Sequence, residues 1–126
     1  MTKYLSWLIF LITVISTSYA RTTGIFSTLE YNEEGGDLLG KEIQIVRGRS
    51  GLFGIIQIAE GRASDPLVLK LEQINGKYKM IIPKGNMYES EYIFEIKENS
   101  LEGEIKLPSG LIKKFSLPKA NGYWNQ

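Results

Sequence analysis

Four carboxylates, Glu30, Glu33, Glu34 and Asp37, fall within "EYNEEGGDLLG", around the pair Gly35-Gly36. Acids this close could hold a hard cation, which takes several oxygen ligands, or divide acid and base roles between them. The order E-Y-N-E-E-G-G-D does not match the D-x-[DN]-x-[DN]-G spacing of a calcium loop. Asn32, Glu33, Glu34 and Asp37 could still lend oxygens to one ion, or face a partner. Acid–base work would also need burial to raise one carboxyl pKa, and a Gly-Gly turn offers little of it. The plainer expectation is a connection between strands, whose glycines supply positive φ and whose acids keep the tip solvated.

A second set of candidates is apolar. Glu60 ends an apolar run and could place a carboxylate in the mouth of a barrel. Leu69, Tyr78, Tyr92, Phe94 and Phe115 fall on expected inward faces, so with Glu60 they form the candidate lining for a small, mostly apolar ligand. The competing expectation for the same residues is a packed core, which a short chain needs. Tyr88 stands in an expected loop and could cover one end. Tyr123-Trp124 follow a glycine near the C-terminus and are expected to fold back as a plug that closes the sheet.

What is missing narrows the chemistry. The chain has no His and no Cys. That removes the imidazole base, the Ser-His and Cys-His pairs and the usual zinc and copper ligands. No enzyme activity, cofactor or bound metal is therefore expected. Without disulfides, burial and sheet pairing must stabilise the fold.

Residues 1–20, "MTKYLSWLIFLITVISTSYA", read as a signal peptide. Lys3 precedes an apolar run from Leu5 to Ile15, and Ser18 and Ala20 suit a cut after Ala20. The run is shorter than the about 20 apolar residues of a spanning helix, so no membrane span is expected after cleavage. Removing Lys3 with the leader leaves 14 basic against 14 acidic residues, from 15 against 14 in the whole chain. A nucleic-acid binder would carry a basic excess, so none is expected. The Arg47 and Arg49 pair reads as a solvated turn.

The elements that must position these residues are strands. "GIFSTLEYN" puts Ile25, Leu29 and Tyr31 on one face, and "KEIQIV" alternates Ile43 and Ile45 with charged or polar residues. "LFGIIQIAEG" is apolar on both faces, as a covered strand is. "PLVLKLEQI", "KYKMII", "EYIFEIKE", "LEGEIKL" and "IKKFSL" follow with period-two patterns. Asn75-Gly76 between two of them is a hairpin signal. The expected fold for 21–126 is a single all-β domain. It would be a small antiparallel up-and-down barrel or strongly curled meander of about eight strands, with a β-sandwich as the alternative.

The order of "TGIFSTLEYNEEGGDLLGKEIQI", "AEGRASDPLVL", "LEGEI" and a terminal "YW" resembles a group of small exported bacterial β proteins of unassigned function. The resemblance implies export, to the periplasm or beyond the cell, and a compact β domain. In outline the expected architecture is also similar to calycin-like barrels, the lipocalins and avidins. It has Gly24-Ile25-Phe26 where lipocalins carry G-x-W, and only Trp124 remains after cleavage, so the likeness is one of fold alone. The expectation is a secreted or periplasmic, non-enzymatic binding domain that holds a small, mostly apolar ligand in or at the mouth of a barrel. The alternative is a protein-interaction module, such as an inhibitor of a secreted or envelope enzyme, acting through its acidic loop.

Overall fold

The computed structural model describes residues 23–125. The expected leader, and the helix it would form, lie outside the described residues. Strands β1 (Gly24–Ser27), β2 (Glu30–Asn32), β3 (Asp37–Gly48), β4 (Gly51–Gly61) and β5 (Leu67–Lys70) form one antiparallel sheet. Strands β6 (Glu72–Ile74), β7 (Lys77–Ile82), β8 (Ser90–Ile96), β9 (Ser100–Lys106) and β10 (Ile112–Pro118) form a second. In each sheet the strands pair in chain order, except that β1 and β2 lie along the same edge of β3.

The eight sequence runs become ten strands because two of them break. "GIFSTLEYN" keeps one register against β3 but is interrupted after Ser27. There the Thr28 N–H donates to Lys41 O, and Thr28 Oγ1 accepts from Lys41 N at 3.2 Å. Gly40 is required opposite this crossing. Its φ is +112°, and a Cβ there would stand 2.3 Å from Thr28 O. "PLVLKLEQI" breaks at Leu71, where the chain leaves β4 for β7 and the Leu71 N–H donates to Leu52 O.

The described residues are all-β and antiparallel, as expected, but the sheets do not close into a barrel, which corrects that form of the expectation. Near one end, Phe26 bridges to Lys119 and the Ala120 N–H donates to Ile25 O at 2.8 Å. No strand ladder joins β10 to β1 beyond that bridge, and Pro118 lacks an N–H to give.

Residues opposite each other in an antiparallel pair share a face, so the registers sort the side chains. Phe26, Ile43, Ile45, Ile56 and Ile58 from the first sheet meet Met80, Ile82, Tyr92, Phe94, Leu101, Ile105 and Leu117 from the second. That core fills the space between the sheets with side chains. Ile25, Leu29 and Tyr31 do share a face, as expected, but it points away from this core. Leu29, Leu38 and Ala59 form a second small cluster there, with Tyr123 packed on it. Glu42 accepts the Tyr123 N–H at 2.8 Å, and Gln57 accepts from Trp124 Nε1 at 2.7 Å. The C-terminal turn Tyr123–Asn125 thus folds back, but it covers the outside of the first sheet instead of plugging an end. Apolar residues on both faces of β4 are explained by this double cover.

Asn75 and Gly76, with φ of 49° and 79°, make the expected two-residue hairpin between β6 and β7. Positive φ at both central positions is what the strand twist demands of such a turn.

Candidate functional site

The row of inward residues on β3 changes chemistry at one end. Ile45 and Ile43 are buried apolar side chains, and Lys41 is next on the same face. Its ammonium reaches the other sheet and donates to Tyr92 Oη at 2.9 Å. It lies 5.0 Å from the Tyr92 ring centre and 5.9 Å from that of Phe115, within cation–π range. Around it, Ile58 pairs with Lys41 across β3–β4, Glu60 lies one step further out, and Lys113 comes from β10 opposite Ile105.

These groups sit in an open cleft of ≈ 820 Å³, with Tyr92, Ile58 and Ile105 at its floor and Tyr88 and Met87 beside it. The loop after β7 carries those last two residues. Asn86 Oδ1 accepts the Tyr88 N–H, Glu89 accepts the Gly85 N–H and Ser90 Oγ donates to Tyr88 O. Braced in this way, the loop leaves Met87 85% exposed. A second cleft of ≈ 860 Å³ shares Ile58, Glu60, Met87 and Tyr88 with the first, so the loop divides one wide mouth.

Burial lowers the Lys41 pKa below its ordinary value; the Glu60 charge partly offsets this and Lys113 adds to it. Burial pushes the Tyr92 phenol up to about 12. That rise from 10.0 has a stability consequence worth about 3 kcal/mol. Below pH 10 the phenol is protonated in both states and the contribution is complete. Between pH 10 and 12 the unfolded chain ionises first, so stability falls. Lys41 acts in the opposite sense, since a lowered pKa makes stability climb with pH up to about 10.5. Urea titrations of the wild type are therefore expected to show a loss setting in above pH 10. Tyr92→Phe should lack that loss, and an equally steep fall in the variant would refute the assignment.

The structure distributes the expected ligand residues unevenly. Glu60 and Tyr92 line the cleft. Phe94 is 0% exposed in the core, and Leu69, Tyr78 and Phe115 pack against it. Phe94, Phe115, Tyr92 and Tyr78 make a stack of tilted and edge-on rings, with centres 5.3 to 6.4 Å apart. Leu69, Tyr78, Phe94 and Phe115 thus belong to the packing between the sheets, and no enclosed pocket opens among them. Lys41 and Lys113 were missed because a charged residue in a strand reads as solvent-facing. The signal was present: Lys41 is in phase with Ile43 and Ile45, and Lys113 with Phe115 and Leu117.

The acidic segment forms the β2–β3 hairpin, with Asn32 paired to Asp37. Asn32 Oδ1 accepts the N–H groups of Glu34 and Gly35, and Asn32 O accepts that of Gly36 at 2.7 Å. Gly36, at φ +71°, supplies the turn, while Glu33 and Glu34 project into solvent. Among the described residues no group of three or more acids is gathered to hold a metal ion. The second sheet carries the ion pairs Lys79–Glu91 and Lys97–Glu102, and the latter lies in an open groove lined also by Lys77, Ile93, Lys114 and Phe115.

No family model matches the chain, and neither a curated protein nor a solved structure does.

Proposed function

We propose that this is an exported, non-enzymatic binding protein that holds a small, mostly apolar ligand at the open end of its two sheets. The observation that carries the reading is the cleft itself. It is floored by Tyr92, Ile58 and Ile105 and flanked by an exposed Met87. Ligand sites are concave and join apolar walls to placed polar groups, and this mouth sets Ile58, Ile105, Leu107 and Tyr88 beside Lys41, Glu60 and Lys113. Export rests on the leader-like residues 1–20. The shared strand path at Leu71 and the Phe26–Lys119 bridge support reading the two sheets as one strongly curled meander of calycin-like outline.

The test uses N-phenyl-1-naphthylamine, a neutral apolar fluorophore. Its emission is expected to rise with the protein, and to lose most of that rise with Met87→Glu/Tyr88→Ala while the melting temperature holds. No enhancement, or one unchanged in the double variant, would overturn the reading. The interaction-module alternative rests on the exposed Tyr31 and Leu39 beside Glu33 and Glu34.

A further inference from the structure

Lys41 is placed where an ammonium is costly to hold. It is half-buried, and burial disfavours its charge. Among the described residues it makes no ion pair, although Glu60 lies on the same face. An ammonium has three donors, and the Tyr92 hydroxyl oxygen takes one of them. That phenol, protonated at ordinary pH, keeps its own O–H to give. Beside Ile58 and Ile105, the floor of the cleft therefore presents an N–H and an O–H donor, while the Glu60 and Glu89 carboxylates line the cleft as well. What complements it is an acceptor-only group attached to an apolar body.

We infer that the ligand of this cleft is a monoanionic amphiphile, a carboxylate that accepts from Lys41 and Tyr92 while its apolar chain lies along Ile58, Ile105 and Tyr88. The inference rests on the proposed binding role and adds the head group to it. A charge-assisted hydrogen bond in a half-buried site is stronger than one in water, so the head group sets both orientation and selectivity. Lys41 and Lys113 are balanced in the cleft by Glu60 and Glu89, so no surplus positive charge is present to hold a dianion, which favours a carboxylate over a phosphate monoester. The filled core holds the chain in the open mouth, so ligands of modest length fit best.

Calorimetric titration with octanoate, 1-octanol and octyl phosphate tests this on the wild type and two variants. Octanoate is expected to bind at least tenfold more tightly than 1-octanol and more tightly than octyl phosphate. Lys41→Met keeps the stem and removes the charge. It should reduce octanoate to the affinity of 1-octanol, with the loss for octanoate at least tenfold greater than any loss for 1-octanol. Lys41→Arg should retain the preference, which shows that the loss in the methionine variant is one of charge and not of folding. Equal binding of octanoate and 1-octanol to the wild type would overturn the head-group inference and leave the apolar site standing. So would an octanoate preference that survives in Lys41→Met. Tighter octyl phosphate would overturn the carboxylate assignment. If neither octanoate nor 1-octanol binds, and the neutral fluorophore does not either, the binding role itself falls.

Discussion

Alanine at Gly103 is expected to abolish stable folding. Gly103 pairs with Phe94 of β8 on one side and Phe115 of β10 on the other, in the middle of the second sheet. A Cβ at this position would stand 2.0 Å from Ile93 O and 2.6 Å from Phe94 Cα. Those atoms are backbone, fixed by the β8–β9 ladder, so the only relief is to push β8 and β9 apart. The cost is expected to exceed about 4 kcal/mol, the range reserved for severe strain and lost core packing. A small domain has only about 5–15 kcal/mol in all. Gly54 shows the contrast: there the nearest atom is Met80 Sδ at 2.8 Å, in a side chain and not in the backbone. Denaturant melts of Gly103→Ala against the wild type decide the matter. A variant within about 1 kcal/mol of the parent would show that β8 and β9 need not approach so closely.

Phe94→Ala is expected to cost about 3–5 kcal/mol, the usual range for removing a fully buried phenylalanine. Phe94 is 0% exposed and packs against Tyr78 and Phe115, with ring centres 6.3 and 6.4 Å away. The result separates two roles for the same residue. A ligand-lining side chain could be truncated with little loss of stability and a large loss of binding. A core side chain behaves in the reverse way. Urea unfolding that shows less than about 1 kcal/mol of loss would return Phe94 to the ligand-binding set.

The strand runs were legible because the second sheet is covered on one face only. Tyr78, Met80 and Ile82 face in while Lys77 and Lys79 do not, so period two is plain in the residues themselves. The first sheet is covered on both faces near Tyr123, and alternation there carries less information. Leu29 and Ile25 were grouped correctly, yet both faces of "GIFSTLEYN" carry large apolar residues, so alternation alone does not tell which side holds the main core. Phe26 marks that side, and its pairing with Ile43 shows this only once the register is known. Failure to close was not legible either. It depends on how β10 meets β1, a contact between chain ends that no local pattern encodes. Of the site, Glu60 and Tyr92 could be found from strand position and phase. Lys41 required taking the phase of "KEIQIV" more seriously than the charge of its first residue.

The C-terminal cover has a consequence for the order of assembly. Glu42 and Tyr123 are 81 positions apart, and the bridge from Phe26 to Lys119 spans still more of the chain. Contacts this distant are late events, because the intervening chain must be gathered before they form. Residues 119–124 thus finish the sheet that residues 24–48 begin. Until Tyr123 docks, Leu29, Leu38 and Ala59 remain uncapped, so the outer face of the first sheet is finished only by the segment that follows the second.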